Sequence, residues 1–428
     1  MSEALKYIEQ SRKHLLIVVF IYISIFINSY VFFREPFEFY IGYLIFIALL
    51  PNFLIKYGVN QKLILIFIIL LIVGVINVII GNNTTGQFLK VYIGLLISYL
   101  FYYSVILELK FDISQLFKWY LKGAYIVSLL GLFQFICFQV GFGQGYRFFG
   151  IFNKWGLVPG GNFGLRINSV FPEPTHLGAA LSAAFFVALH NLIRKESYGL
   201  SKIQSVAIVA VYFLSFSGLG QIGIFLAFIF LALNFGLVRY VIILVPLVII
   251  SFNYLYNNVY EFKTRFDSTF DLFVEDKKFE LGVTQGSSFI LYNNYIVAKE
   301  NFKTNFLFGT GVGSHSTAFD RYSIAKDIKV YGFNLNSADA NSMFLRLMSE
   351  TGLFGLTIFF VIMIKGYVMR DPNNISYHWL VSNGILIMIL LNLFRQGHYF
   401  LNGFPFFLLL YYFNGLSYKA HLSNQLDE

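Results

Sequence analysis

LILIFIILLIVGVINVII, residues 63–80, is apolar at every position but Asn77, and no charged residue occurs between Lys62 and Lys90. About 20 such residues in a helix cross the hydrocarbon core of a bilayer, where the backbone must satisfy its own hydrogen bonds. Working outward, comparable runs lie at 15–33, 38–55, 88–108, 119–140, 176–193, 203–218, 220–237, 240–254, 342–367, 376–394 and 398–416. The reading is an all-α, polytopic membrane helix bundle of about 12 transmembrane helices. Short breaks near Gly218 and Gly397 read as tight turns or re-entrant points.

Composition agrees. Hydrophobic residues make up 57% and charged residues 12% of the 428. A soluble domain carries about 25% charge, so this chain has too little to cover a water-facing surface. The lone cysteine, Cys137, lies in an apolar run, which excludes an internal disulfide and a paired-cysteine metal site. The first apolar run is too long for the core of a cleavable signal and has no small-residue cleavage site after it; it reads as a first membrane helix. Many of the 52 Phe and 29 Tyr must pack between helices or face acyl chains.

The net charge of +9 has a topological cause rather than a nucleic-acid partner. Placing Lys6, Arg12 and Lys13 in the cytoplasm puts Lys56, Lys62, Lys110, Lys118, Arg194, Lys195, Lys202, Arg239, Lys365, Arg370 and Lys419 there too. The short outer loops keep only Arg34, Lys90 and Arg395. Lys and Arg collect in cytoplasmic loops, so both termini are expected inside. Two long loops, 141–175 and 255–341, then lie outside. They divide the chain into N-terminal helices (1–140), the first loop, central helices (176–254), the second loop, expected to be a partly helical cap, and C-terminal helices with a cytoplasmic tail (342–428). Long ordered loops are usually functional.

Four constellations fall on that outer side. In Arg166-Ile-Asn-Ser-Val-Phe-Pro-Glu-Pro-Thr-His-Leu-Gly178, Pro172 and Pro174 hold the residues before them extended, and Pro174 suits the first helical position. Glu173 then stands at a helix entrance, with His176 in the first turn and Arg166 upstream. This arrangement either holds a phosphate or simply caps the helix. Gly309-Thr-Gly-Val-Gly-Ser-His315 lacks the strand–turn–helix context of a dinucleotide fingerprint; it reads as an anion-binding nest or a plain turn. In the run from Asp339 to Gly355, Asn341 is the expected N-cap, and Arg346 and Glu350 fall four residues apart on one face, where they can pair. Arg346 either lines a cavity or snorkels to the interface. Finally, Arg395-Gln-Gly-His398 occupies an outer turn, and Arg147 is a further outer cation.

The ordered set Arg166…Phe171-Pro-Glu-Pro-Thr…Gly178, Gly309-x-Gly-x-Gly313 and Asn341-x-x-x-Leu345-x-x-x-x-Glu350-x-Gly352-Leu-x-Gly355 resembles the O-antigen polymerase and ligase superfamily, and within it the polymerases. The resemblance covers about 166–355; the N-terminal third matches only in hydropathy. It implies a bacterial inner-membrane enzyme with two periplasmic loops, which joins undecaprenyl-diphosphate-linked repeat units into a surface polysaccharide. Donor and acceptor are both lipid-linked glycans, no cofactor or metal is implied, and a chain-length regulator and a flippase of the same pathway are implied partners. The family's loop-two signature often has His beside the Asn; here Ala340 stands there, which argues against the ligase branch. A lipid-linked-glycan flippase or transporter is the other rival, but would place its charges at mid-bilayer. Glu173 and Arg166 are the expected catalytic pair. Arg147, His176, His315, Asp339, Asn341, Arg346, Arg395 and His398 are expected around the substrate.

Overall fold

The computed structural model describes residues 16–27, 30, 32, 39–150, 158–159, 164–237, 249–250, 252–253, 256–258, 260–275, 284–326, 328–330, 333–372 and 376–426. Their regular structure is helical apart from two antiparallel pairings, Val158–Pro159 with Leu165–Arg166 and Lys329–Val330 with Phe333–Asn334. The first five helices are α1 (Leu16–Phe26), α2 (Ile41–Tyr57), α3 (Gln61–Ile79), α4 (Thr85–Glu108) and α5 (Ile113–Gln139). A short α6 (Gly143–Tyr146) precedes α7 (Pro174–Ile193), α8 (Lys202–Leu214) and α9 (Gly218–Asn234). Then follow α10 (Tyr260–Phe273), α11 (Gly286–Thr304), α12 (His315–Tyr322), α13 (Met343–Gly366), α14 (His378–Arg395) and α15 (Phe404–Leu426). The run expected at 240–254 lies largely outside the described residues, as do Lys6, Arg12, Lys13, Arg34 and Arg239.

Six of these helices, α3, α4, α5, α7, α13 and α14, are long and apolar enough to cross a membrane, and α1, α2, α8 and α9 are shorter apolar helices. The outward faces require lipid. Along α3, Leu65, Ile66, Ile69, Ile72 and Ile76 are all exposed, a continuous apolar surface far beyond what a soluble monomer shows. By contrast, α7 and α14 are largely enclosed and pack on each other. Small residues let them approach: a Cβ on Gly384 would meet the Ala183 carbonyl at 3.1 Å, and one on Gly178 would meet the Gly220 nitrogen of α9 at 3.3 Å.

Several residues that the Lys and Arg distribution groups together sit at helix ends that touch, with Tyr103 near the end of α4 on Phe413 of α15 and His190 near the end of α7 on Trp379 at the start of α14. Lys56 pairs with Glu108 at 2.8 Å, Lys419 reaches the Lys365 carbonyl, and Arg194 and Arg370 lie 4.0 and 4.6 Å from the Phe235 ring centroid. At the opposite end Arg346 bonds the Gly397 carbonyl and Arg395 the Ser287 carbonyl. The second long loop forms three helices, α10 to α12, there. They share a small core of Leu272, Phe289, Tyr292, Val297, Phe319 and Leu335, and α11 packs on α13.

One expected span is different. The run 342–367 is not a continuous helix: Gly352 adopts φ 62°, ψ −160° and breaks α13. A straight helix would separate Phe344 and Phe360 by about 24 Å, yet their ring centroids are 6.5 Å apart. The half 343–351 therefore folds over the end of the bundle, and 353–366 runs down it. The N-cap is Ser342, whose Oγ accepts from Leu345 N, and not the expected Asn341. Asn341 and Ala340 both have positive φ instead, and Asn341 N donates to Asp339 Oδ1 at 3.0 Å. The chain must turn tightly before it enters the helix, and the shorter serine reaches the free amide.

Candidate functional site

The enclosed helices α7 and α14 deliver charged groups to one place. Their contact at Ala183 and Gly384 leaves about 14 Å of α7 up to Pro174 and about 16 Å of α14 up to Arg395. His190 near the far end of α7 packs on Trp379 at the start of α14, ring centroids 5.3 Å apart, so Pro174 and Arg395 lie at the same end of the pair. The entrance of α7 is as the prolines predict, with Pro174 in the first turn and Glu173 as N-cap residue. The Glu173 side chain makes no capping bond; it is exposed and accepts from Thr175 Oγ1 at 3.0 Å. The carboxylate is therefore available to something other than its own helix.

Arg166 is held beside it by a buried polar lock. Gln134 of α5 donates to Asn168 Oδ1 at 2.8 Å and accepts from Ser169 N at 2.9 Å and Asn168 N at 3.2 Å. Asn168 Nδ2 in turn bonds the carbonyls of Phe171 and Pro172, and Ile167 N bonds the Leu214 carbonyl. Val158 pairs with Arg166 in the short β-pairing. The Arg166 guanidinium is half-buried, and its Nε is buried with no hydrogen-bond partner. Burial and the nearby Arg265 push its pKa below the ordinary arginine value, and Glu173 opposes them. Arg395 senses the same two groups, Arg265 and Glu173, while one of its nitrogens donates to Ser287 O at 2.8 Å. Arg265 is exposed on α10, and its terminal nitrogen lies 3.6 Å from where a Cβ on Gly218 would stand, at the entrance of α9. Arg166 and Arg395 thus each lie within electrostatic reach of Arg265 and of the exposed Glu173, a local excess of positive charge that suits an anion with several oxygens.

A second constellation is closed. Glu350 is fully buried and accepts from Arg346 Nε at 3.0 Å, Tyr399 OH at 2.9 Å, Gly313 N at 2.9 Å and His315 N at 3.4 Å. The glycine-rich segment 309–315 is therefore a nest, and the anion in it is the chain's own carboxylate. The break in α13 completes the seam: Gly311 N bonds the Glu350 carbonyl, and Leu353 N and Phe354 N bond the carbonyls of Phe306 and Leu307. Arg346 gives another nitrogen to Gly397 O and lies 4.1 Å from the Tyr399 ring centroid. At 4% exposure it is engaged internally, apart from the open cluster. The i, i+4 pair with Glu350 that the spacing allowed does form, and it keeps Arg346 inside rather than at the interface.

The other expected residues divide likewise. His315 is fully buried, with Nε2 at 2.9 Å from Asn294 Oδ1, and desolvation pushes its pKa down to about 3, so it is neutral and shielded from any substrate. His176 lies within electrostatic reach of Glu173 and Asp339, and its Nδ1 is buried without a hydrogen-bond partner. Asp339 spends one oxygen on Asn336 and Asn341, and Gly397 packs directly on the Asp339 carbonyl. His398 accepts at Nδ1 from Phe400 N, so its Nε2 carries the proton toward Tyr40 OH at 3.1 Å. Burial and the surrounding cations hold its pKa well below the ordinary value. Arg147 is exposed with its guanidinium 5.9 Å from the Tyr146 ring centroid, and the structure does not bring it to the cluster.

Sequence reasoning missed Arg265, Gln134 and Asn168. Arg265 sits in an ordinary polar helix and carried no signal. Gln134 did: a polar side chain inside an apolar run flags a specific partner. Among the described residues no group of three or more His, Cys, Asp and Glu side chains is placed to hold a metal ion. Comparison with models of known protein families finds no match, and comparison with characterised proteins finds no relative.

Proposed function

We propose that this chain is a membrane glycosyltransferase of the O-antigen polymerase type, working on the periplasmic face of a bacterial inner membrane. It moves a glycan from undecaprenyl diphosphate onto a hydroxyl of a second lipid-linked repeat unit. The observation that carries the reading is that Arg166 and Arg395 each lie within electrostatic reach of Arg265 and the exposed Glu173, at one end of a helix bundle whose surface needs lipid. A soluble ligand needs no such setting; a phosphorylated lipid does.

The chemistry follows from the leaving group. The acceptor oxygen bonds the anomeric carbon as the bond from that carbon to the diphosphate oxygen breaks, and the electron pair departs with the diphosphate. Guanidinium groups bind two phosphate oxygens at once and stabilise that growing charge. Glu173 takes the hydroxyl proton, a step that contributes roughly 10²–10⁴-fold. The ligase alternative gains nothing from position 340, where the fully buried Ala340 offers no imidazole. A flippase has no use for an exposed carboxylate among phosphate-binding cations.

The test is the surface glycan of a deletion strain complemented with variants. Arg166→Ala is expected to leave one repeat unit per acceptor while single units still reach the surface. Long polymer at normal levels in that strain would refute the assignment. For Glu173 the sharper change is Glu173→Gln, which keeps shape and removes basicity.

A further inference from the structure

At the end of the bundle remote from Glu173, two arginines share one aromatic ring. Arg194 closes α7 and Arg370 follows α13; their guanidinium carbons lie 4.0 and 4.6 Å from the ring centre of Phe235, at the end of α9. Both are measured from one point, so the two charges are at most about 9 Å apart, about one screening length at physiological salt. The surrounding structure fixes this placement. Phe235 is stacked on His190 at 6.1 Å and met edge-on by Trp379 at 5.7 Å. The Arg370 amide donates to Asn234 Oδ1 at 2.8 Å, Asn234 Nδ2 to Asn383 Oδ1 at 2.9 Å, and Asn383 Nδ2 to the Val368 carbonyl at 3.1 Å. Asn234 and Asn383 are buried, so the segment carrying Arg370 is tied by its backbone to α9 and α14. Among the described residues no carboxylate, Glu196 and Asp371 included, forms an ion pair with either arginine.

The local charge does not balance. The C-terminal ends of α7 and α9 supply roughly half a negative charge each, against two full positive ones, and the exposed Lys195 and Glu196 cancel. About one positive charge remains, which a single phosphodiester matches, and guanidinium forks suit its oxygens. Apolar surface adjoins each cation: Ile193, directly before Arg194, is 60% exposed, Met369, directly before Arg370, 53%, and Leu237, two residues after Phe235, 41%. A soluble phosphate gains nothing from that surface, whereas a phospholipid lays its chains on it. We propose that Arg194 and Arg370, sharing the Phe235 ring, bind the headgroup phosphate of an anionic phospholipid in the leaflet at this end of the bundle. A zwitterionic headgroup brings its own cation and is held less well. The site lies about 30 Å along α7 from Pro174 and does not depend on the proposed reaction. Its consequence is mechanical: one phosphate ties the ends of α7, α9 and α13, and α7 is the helix whose other end carries Glu173.

The experiment titrates the full chain in detergent with dioleoyl phosphatidylglycerol or dioleoyl phosphatidylcholine, and native mass spectrometry counts the lipids bound. The first phosphatidylglycerol is expected to bind at least tenfold tighter than the first phosphatidylcholine. Arg194→Gln combined with Arg370→Gln should weaken that phosphatidylglycerol at least tenfold and leave phosphatidylcholine unchanged. Lys118→Gln combined with Lys202→Gln removes two charges at the same end without touching Phe235, and should weaken it less than twofold. Equal losses in the two double variants would mark a diffuse response to net charge and overturn the site. Displacement of the lipid by inorganic phosphate at equal concentration would assign the site to a soluble anion and overturn the lipid reading. Hydrogen exchange on the unaltered chain keeps the proposal testable if the arginine variant does not fold: phosphatidylglycerol should slow the amides of 192–196 and 367–371, and slowing confined to other segments would overturn it.

Discussion

Glu350→Gln tests the closed network most directly. The carboxylate is wholly buried and meets four donors, from Arg346, Tyr399, Gly313 and His315. Glutamine keeps the shape but replaces one acceptor oxygen with an NH₂, which must then face a donor. It also leaves the Arg346 guanidinium, 4% exposed, without a counter-charge. Removing one partner of a buried pair typically costs about 3–5 kcal/mol. At about 1.4 kcal/mol per decade, that is roughly 10²–10³·⁵ in the opening equilibrium of the cap. Hydrogen exchange of the amides from 309 to 322, measured on the full chain in nanodiscs, should accelerate by that factor while the amides of α7 stay slow. Arg346→Met added to Glu350→Gln removes the stranded charge and should recover at least tenfold of the protection, a coupling of about 1.4 kcal/mol, inside the range seen for contacting pairs. Exchange within threefold of the parent in Glu350→Gln, or a double variant worse than the sum of its singles, would refute the claim that the pair closes the seam.

Three further outcomes follow from other contacts. Gly352→Ala should destabilise the folded-over half by about 1–3 kcal/mol from backbone alone; its Cβ would also meet Gly309 N at 2.6 Å, so the thermal unfolding midpoint should fall, and an unchanged midpoint would contradict the break. Gln134→Leu strands the buried amides of Asn168 and Ser169, at about 1–3 kcal/mol each; with Arg166 unpinned, KM for the lipid donor should rise at least tenfold with kcat falling less, and a change confined to kcat would argue against a positioning role. Acidification should loosen the cap through His315: the unfolded chain takes its proton near the ordinary 6.5 and the folded chain only near about 3, so the unfolded state binds more protons in that window and stability falls as pH drops through it. His315→Asn should flatten that dependence in a pH series of the same exchange experiment; an unaltered slope would assign the acid sensitivity elsewhere.

How far the sequence can be read depends on the range of the forces that fix each feature. The helical membrane class was legible in residues 63–80 alone, because burial in lipid is a local, compositional demand. The entrance of α7 was legible for the same reason, since Pro172 and Pro174 restrict their own neighbours. The break in α13 was not. Residues 342–367 are apolar enough to pass for one span, and only the glycine-rich segment 309–315, remote in sequence, supplies partners for the backbone that Gly352 frees. Arg346, with a carboxylate four residues on, became internal; Arg395, with none, ended its helix within electrostatic reach of Arg265 and Glu173 and gave one nitrogen to the Ser287 carbonyl. Arg265 was invisible because nothing local marks a residue whose importance is where its helix docks.

The two constellations belong together for a physical reason. Guanidiniums within reach of one another repel, and among the described residues Glu173 is the one carboxylate that offsets Arg166 and Arg395. Such a cluster persists only if the backbone that carries it is held by something else. The closed seam supplies that hold. Arg346 fastens the Gly397 carbonyl two residues from Arg395, Ser342 fastens Leu393 two residues before it, and the nest around Glu350 ties both to the cap that carries Arg265. Weakening the seam should therefore lower affinity for an anionic lipid head before it unfolds the bundle. Glu350→Gln, which touches no substrate in this reading, is expected to weaken donor binding at low salt at least fivefold, with the helical circular dichroism of the chain unchanged. Donor affinity equal to the parent's, in a variant whose cap exchanges fast, would separate the two networks and leave the open cluster to be held by its own loops.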